Sequence, residues 1–184
     1  MQAKDIENYL IQLGQEFIHL GIQKPVRVLL IGGAYMILHA NMARSTDDVD
    51  IFWLGLKENE RDETIPTVKT AVTNVALINN IDVDWFNDMT DILLHDLLIV
   101  PTGKLWRTYG LLHIYIPTKD YILALKIIAG RDKDIRDSKV LLQQLRITTR
   151  QQAQRRLDRY IPPAIQASAS NEIAHSFEAL FGEP

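Results

Sequence analysis

Apolar residues recur at three- and four-residue spacing over residues 4–20, where Ile6, Leu10, Leu13, Phe17 and Leu20 share one side of an expected helix. Gly21 closes that helix, and Pro25 introduces a different pattern. Residues 26–31, VRVLLI, have the length and β-branched content of a buried strand and run straight into Gly32 and Gly33. AYMILHANM then reads as a short helix with Met36, Ile37 and Ala40 able to face one way. From Asp48 to Trp53 apolar and acidic residues alternate, which predicts a strand with Asp48 and Asp50 on one face and Val49 and Ile51 on the other.

The pattern continues with GLKENERDE (55–63), polar enough for a surface loop. A helix is expected over 64–80, with Pro66 in its first turn and Val68, Val72, Val75 and Ile78 as its apolar stripe. IDVDWF (81–86) alternates like a strand, placing Asp82 and Asp84 on one face. A mixed stretch with apolar clusters around His95 and Asp96 leads to a turn at Pro101-Thr102-Gly103 and a strand over 110–116. Pro117 ends that strand, and Thr118 can cap a helix whose buried stripe is Tyr121, Leu125 and Ile128. Two further helical segments, 149–160 and about 164–181, flank Pro162-Pro163. The expected class is α/β (α+β): a small mixed sheet flanked by helices, residues 1–117, with a C-terminal helical extension, 118–184, packed on it as one unit.

Composition narrows the picture. In 184 residues, 47% apolar and 23% charged content is globular, and the length suits one ordinary domain with a proper core. No stretch approaches the roughly 18 uncharged apolar residues of a membrane span, and MQAKDIENYL lacks a basic-then-apolar signal layout. The absence of cysteine excludes disulfides and thiolate metal sites, and the five histidines lack the short spacing of zinc ligands. A soluble, cytoplasmic protein with no membrane partner is expected. The formal charge of −3 is uneven: the Lys119–Arg159 stretch carries a net +6 and the rest −9. An acidic half beside a basic helical half suits a metal site facing a polyanion, although ordinary solvated helix faces look the same.

Four groups of residues carry candidate chemistry. Gly32 and Gly33 open a helix whose free N–H groups can receive a phosphate, unless they simply make a strand-to-helix turn. Two carboxylates one pleat apart, Asp48 and Asp50, suit a hard divalent ion such as Mg²⁺; an acidic exposed strand is the plainer alternative. Lys126, inside an apolar helix, must meet an anion or snorkel to water. Asp134 and Asp137 are neighbours on the next helix, where pairing with nearby Lys or Arg is equally open. His113 reads as a half-buried strand histidine, and His19 carries no chemistry.

Gly-Gly, a short helix, then Arg44-Ser45-Thr46-Asp47-Asp48-Val49-Asp50 resembles the first motif of the polymerase-β-like nucleotidyltransferases, and most of all their AbiEii-type branch. Asp84-Trp85-Phe86-Asn87-Asp88 is similar to a later segment of that branch, and the run from Leu123 to Arg131, followed by Asp134 and Asp137, to its lysine helix and acidic motif. The resemblance implies transfer of a nucleoside monophosphate from an NTP to a hydroxyl acceptor. It implies Mg²⁺ or Mn²⁺ held by Asp48 and Asp50, with Asp84 (or Asp82, one pleat away) as a third acid. Gly32, Gly33, Arg44, Thr46, Lys126 and Arg131 would contact nucleotide, and Lys126 and Asp134 would belong to the catalytic set. RNA such as tRNA, or protein, would be the acceptor, and a toxin–antitoxin setting would add an antitoxin partner. Many relatives carry Gly-Ser where this chain has Gly32-Gly33, which removes a hydroxyl and keeps the amides. The rival reading is a non-catalytic nucleotide-binding, sensor or antitoxin protein of the same fold.

Overall fold

A computed structural model describes residues 1–56, 58–94 and 97–183; Lys57, His95, Asp96 and Pro184 lie outside the described residues. The chain divides into two compact units, whose described residues fall within 1–93 and 102–117 for the first and within 94–101 and 118–183 for the second.

The first unit is built on a mixed five-stranded sheet of order β3-β2-β1-β5-β4. Strand β1 (Val26–Leu30) lies at its centre, antiparallel to β2 (Val49–Trp53) and parallel to β5 (Leu112–Ile116). The two-residue β3 (Phe86–Asn87) pairs in parallel with β2, and β4 (Lys104–Tyr109) pairs with β5 as a hairpin. Burial explains the centre: Val28, Leu29, Leu30, Ile51 and Phe52 are wholly removed from water. Three helices accompany the sheet, α1 (Ala3–His19), α2 (Gly32–His39) and α3 (Glu58–Asn79): α2 lies against β2, and α1 touches β4, β5, α2 and α3. In α1 the buried residues are Ile6, Leu10, Leu13, Gly14 and Phe17, so the expected stripe faces the core.

Several boundaries differ from the sequence pattern, each for a local reason. Helix α3 begins at Glu58, six residues before the expected start, so Pro66 lies inside it. Glutamate and arginine are good helix formers, acidic residues suit a helix N-terminus, and Arg61 in the opening turns is tied to Asp91 at 3.0 Å. The lost backbone bond at Pro66, a penalty of ~3 kcal/mol, is offset by burial of Val68, Ala71, Val72, Val75 and Ala76. Ile78 falls outside that stripe and is exposed. Residues 81–85 form no strand: Asp82 Oδ1 accepts the Asp84 N–H at 2.9 Å and the Asp82 carbonyl accepts the Trp85 N–H at 3.2 Å, closing a turn. Strand β4 has no counterpart in the pattern because its side chains are largely exposed and nothing alternates. A short helix, α4 (Met89–Leu94), precedes it.

The second unit is helical: α5 (Lys119–Ala129), α6 (Asp132–Leu145), α7 (Arg150–Tyr160), α8 (Pro163–Ser168) and α9 (Ser170–Phe181). The last expected helix is therefore two, broken at Ala169. Helix α5 touches α6, α7 and α9, which is why Tyr121, Ile122, Leu123, Ala124 and Ile127 are all buried rather than one stripe. Leu125 and Ile128, expected inside, are only half-buried. Thr118 occupies the N-cap position of α5 without a side-chain capping bond; its hydroxyl meets Tyr160 Oη at 3.3 Å.

Candidate active site

The antiparallel register Leu30↔Ile51 sets the C-terminal end of β1 beside the N-terminal end of β2, so the start of α2 meets the acidic segment. The Ile31 N–H donates to the Asp50 carbonyl at 3.0 Å and fixes that meeting in the backbone. Gly32 then turns the chain at φ +64°, and a Cβ there would lie 1.9 Å from Asp50 Oδ2. The carboxylate thus occupies the space a side chain would need, at the positive end of α2. At Gly33 a Cβ would lie 2.4 Å from Thr46 Oγ1 and 3.5 Å from Arg44 Nη2. The glycine pair, expected to admit a phosphate, first admits the chain's own Asp50 and Thr46.

Gly32, Gly33, Arg44, Thr46, Asp48 and Asp50 therefore share one corner of the first unit. Asp48 is not a strand residue: β2 begins at Val49, and the pleated acid pair read from the alternation is replaced by one acid on the strand and one just before it. Its orientation comes instead from Thr46, whose hydroxyl donates to Asp48 Oδ1 at 3.2 Å. Thr46 is buried, and its N–H donates to the Met1 carbonyl at 3.0 Å while the Met1 nitrogen donates to its carbonyl at 2.6 Å. Asp48 and Asp50 are both half-buried.

The resemblance implies a divalent ion, and the donors this corner offers it are the Asp48 and Asp50 carboxylates. Among the described residues no group of three or more His, Cys, Asp or Glu is arranged to hold a metal. Mg²⁺ is commonly held by one or two carboxylates with substrate phosphates and waters completing its shell. Two half-buried carboxylates at a helix N-terminal corner fit that mode, and their hard oxygens suit Mg²⁺ or Mn²⁺ rather than a soft metal.

The remaining expected residues fall elsewhere. Asp84 stands in the exposed turn before β3 and does not share a pleat with Asp50; the residue whose Cα pairs with Asp50 across the strands is Asn87. Asn87 Oδ1 accepts the Met89 N–H at 2.7 Å and so opens α4. Asp88 accepts Trp53 Nε1–H at 3.1 Å, and the fully buried Asp91 accepts the Trp53 N–H at 3.0 Å while pairing with Arg61. The Trp-Phe-Asn-Asp segment and Asp91 thus finish the end of β2. Nothing in the pattern around Asp91 marked it as buried; its signal lay only in the unpaired N–H at a strand end.

In the second unit, Lys126 Nζ lies 2.7 Å from Asp134 Oδ1 and 2.9 Å from Asp137 Oδ2. All three are almost wholly buried, at 6%, 0% and 1% exposure. Arg131 Nε reaches Asp134 Oδ2 at 2.5 Å from a mostly exposed side chain. Burial raises the Asp134 pKa, but the Arg131 hydrogen bond and Lys126 charge outweigh it and leave the carboxyl below its ordinary value. Lys126 therefore neither snorkels nor presents a bare ammonium: its charge is met by two carboxylates on the next helix, and Arg131 is likewise turned to Asp134. Gly130, at φ +62°, makes the tight corner between α5 and α6 that lets these groups meet.

Comparisons with protein-family models, curated proteins and solved structures find no match to this chain. Among the described residues no helix is long and apolar enough to cross a membrane.

Proposed function

We propose that this chain is a divalent-metal-dependent nucleotidyltransferase, moving a nucleoside monophosphate from an NTP to a hydroxyl acceptor. The observation that carries the reading is the corner in which the Gly32-Gly33 helix start packs against Asp50 and the Thr46–Asp48 pair. In the reaction the acceptor oxygen bonds to the α-phosphorus and the bond from that phosphorus to the bridging oxygen breaks. Pyrophosphate leaves, and the hydroxyl proton passes to solvent.

Asp48 and Asp50 would hold Mg²⁺ or Mn²⁺, which when bound supplies positive charge to a triphosphate. Arg44, beside Gly33, would meet phosphate or base, and α2 turns its positive end toward the same corner. Catalysis on such a site is chiefly positioning and electrostatic stabilisation. RNA such as tRNA, or a protein, as acceptor, and an antitoxin as partner, follow from the resemblance of the motif. The second reading, a non-catalytic nucleotide-binding or sensor protein, is favoured by one observation: Lys126 is consumed in a buried ion cluster.

The test is incubation with each α-labelled NTP, Mg²⁺ and either total RNA or total protein. Label should enter one acceptor, and Asp48→Ala or Asp50→Ala should lower its rate by at least ~100-fold, the kinetic equivalent of about 3 kcal/mol. A folded wild-type protein that binds NTP yet labels no acceptor would replace this reading with the second.

A further inference from the structure

The two carboxylates of the corner are held in different ways. Asp50 belongs to β2, and its backbone carbonyl is fixed by the Ile31 N–H. Asp48 precedes the strand, so no pleat aims its side chain, and such a carboxylate can sample several staggered and near-planar rotations. One neutral group restrains it, the Thr46 hydroxyl at 3.2 Å from Oδ1. That distance is long for an O–H···O bond, as site contacts commonly are before a ligand tightens them. A hydroxyl, unlike an ammonium or guanidinium, orients a carboxylate without cancelling its charge.

Thr46 is itself tightly held. Its N–H is bonded to the Met1 carbonyl, it is 9% exposed, and its Oγ1 lies where a Cβ on Gly33 would be only 2.4 Å away. An alanine at Gly33 can be accommodated if the threonine rotates, and that rotation carries the hydroxyl off Asp48. Gly33 and Thr46 therefore act on Asp48 through one contact.

We infer that Thr46 is a positioning residue, not a nucleotide ligand: it aims the Asp48 carboxylate at the metal, and Gly33 is glycine to admit its hydroxyl. This rests on the metal-dependent reading above. The hydroxyl fixes Oδ1 and leaves Oδ2 to face the ion. Groups that orient ligands in this way typically contribute 10–100-fold to metal affinity.

The test is Mn²⁺ titration of the full chain, read by electron paramagnetic resonance in the presence of a non-hydrolysable NTP analogue. Thr46→Val should weaken Mn²⁺ binding about tenfold, while Thr46→Ser, which keeps the hydroxyl, stays within about twofold of wild type. Gly33→Ala should weaken binding to a similar degree, and the double variant Gly33→Ala/Thr46→Val no more than the worse single one, because both break the same contact. Should Thr46→Val fail to fold, Gly33→Ala reads the contact alone. Wild-type affinity in folded Thr46→Val, or single effects that multiply in the double variant, would overturn the inference and leave the proposed function standing. A folded wild-type protein that binds no Mn²⁺ with any NTP analogue would overturn both.

Discussion

Two polar clusters, one in each unit, handle charge in opposite ways. Around Lys126 two carboxylates meet an ammonium and a guanidinium, so the group is neutral within itself, and all of it but the Arg131 side chain is sealed from water. Around Gly32 two acids stand half-buried, and the Asp48 carboxylate is oriented by the neutral hydroxyl of Thr46. A self-neutralised cluster fixes a helix corner; a carboxylate oriented by a neutral hydroxyl, as Asp48 is, keeps its charge for a cation to answer. The difference separates a lysine and acids that hold the fold from an acid that its hydroxyl partner orients without pairing it to a cation, although all of them look equally suggestive as letters.

The sharpest way to break this comparison is to remove Lys126. Lys126→Met takes the buried ammonium away from Asp134 and Asp137, and should lower unfolding free energy by about 3–5 kcal/mol in urea. A stable Lys126→Met protein with NTP turnover abolished would instead put the ammonium on the triphosphate. Next in size is Gly32→Ala, where a left-handed backbone costs an L-residue about 1–2 kcal/mol and the new Cβ meets Asp50 Oδ2 as well. Its melting temperature should fall more than that of Gly33→Ala, whose obstruction is a rotatable hydroxyl.

A smaller effect comes from pH. Asp134 titrates below its ordinary 3.8 in the folded chain, so its contribution is complete above the unfolded value and is lost as pH falls through the lower, folded one. Unfolding free energy should therefore decline below about pH 4, and part of that decline should disappear in Asp134→Asn. Smallest of all is Asp84→Asn. In an exposed turn it should shift stability by less than about 0.5 kcal/mol and leave NTP turnover within about twofold, since its backbone N–H, not its carboxylate, holds the turn. A large fall in turnover would return Asp84 to the metal.

Much of the first unit is legible where burial and periodicity coincide. Val26–Leu30 and the α1 stripe are such places, because core packing demands the same side chains that make the pattern. Asp82 and Asp84 show how alternation misleads: the spacing that would set two acids on one face also lets the first bond the backbone of the second, and the turn wins. Strand β4 was hidden for the opposite reason, since an exposed edge needs no apolar alternation. The charged run 55–63 looks like a loop by its polarity, yet from Glu58 onward it forms the first turns of α3, where Arg61 pairs with Asp91. At the site, the glycine pair and Asp50 were visible in sequence. What spacing could not show was that the room at the glycines is used by the chain's own threonine and aspartate.

Helix α9 is seated on α5 by small groups. Ser176 Oγ donates to the Ile127 carbonyl at 2.9 Å, and the Glu172 backbone lies where a Cβ on Gly130 would be only 2.9 Å from its oxygen. A latch of this kind has no slack: one added methyl at residue 130 pushes against a whole turn of the last helix rather than against a side chain that can swing aside. Loosening it would uncover Phe177 and the α5 carbonyls together, so the C-terminal segment would pass at once from a fastened helix to the stretch a protease cuts first.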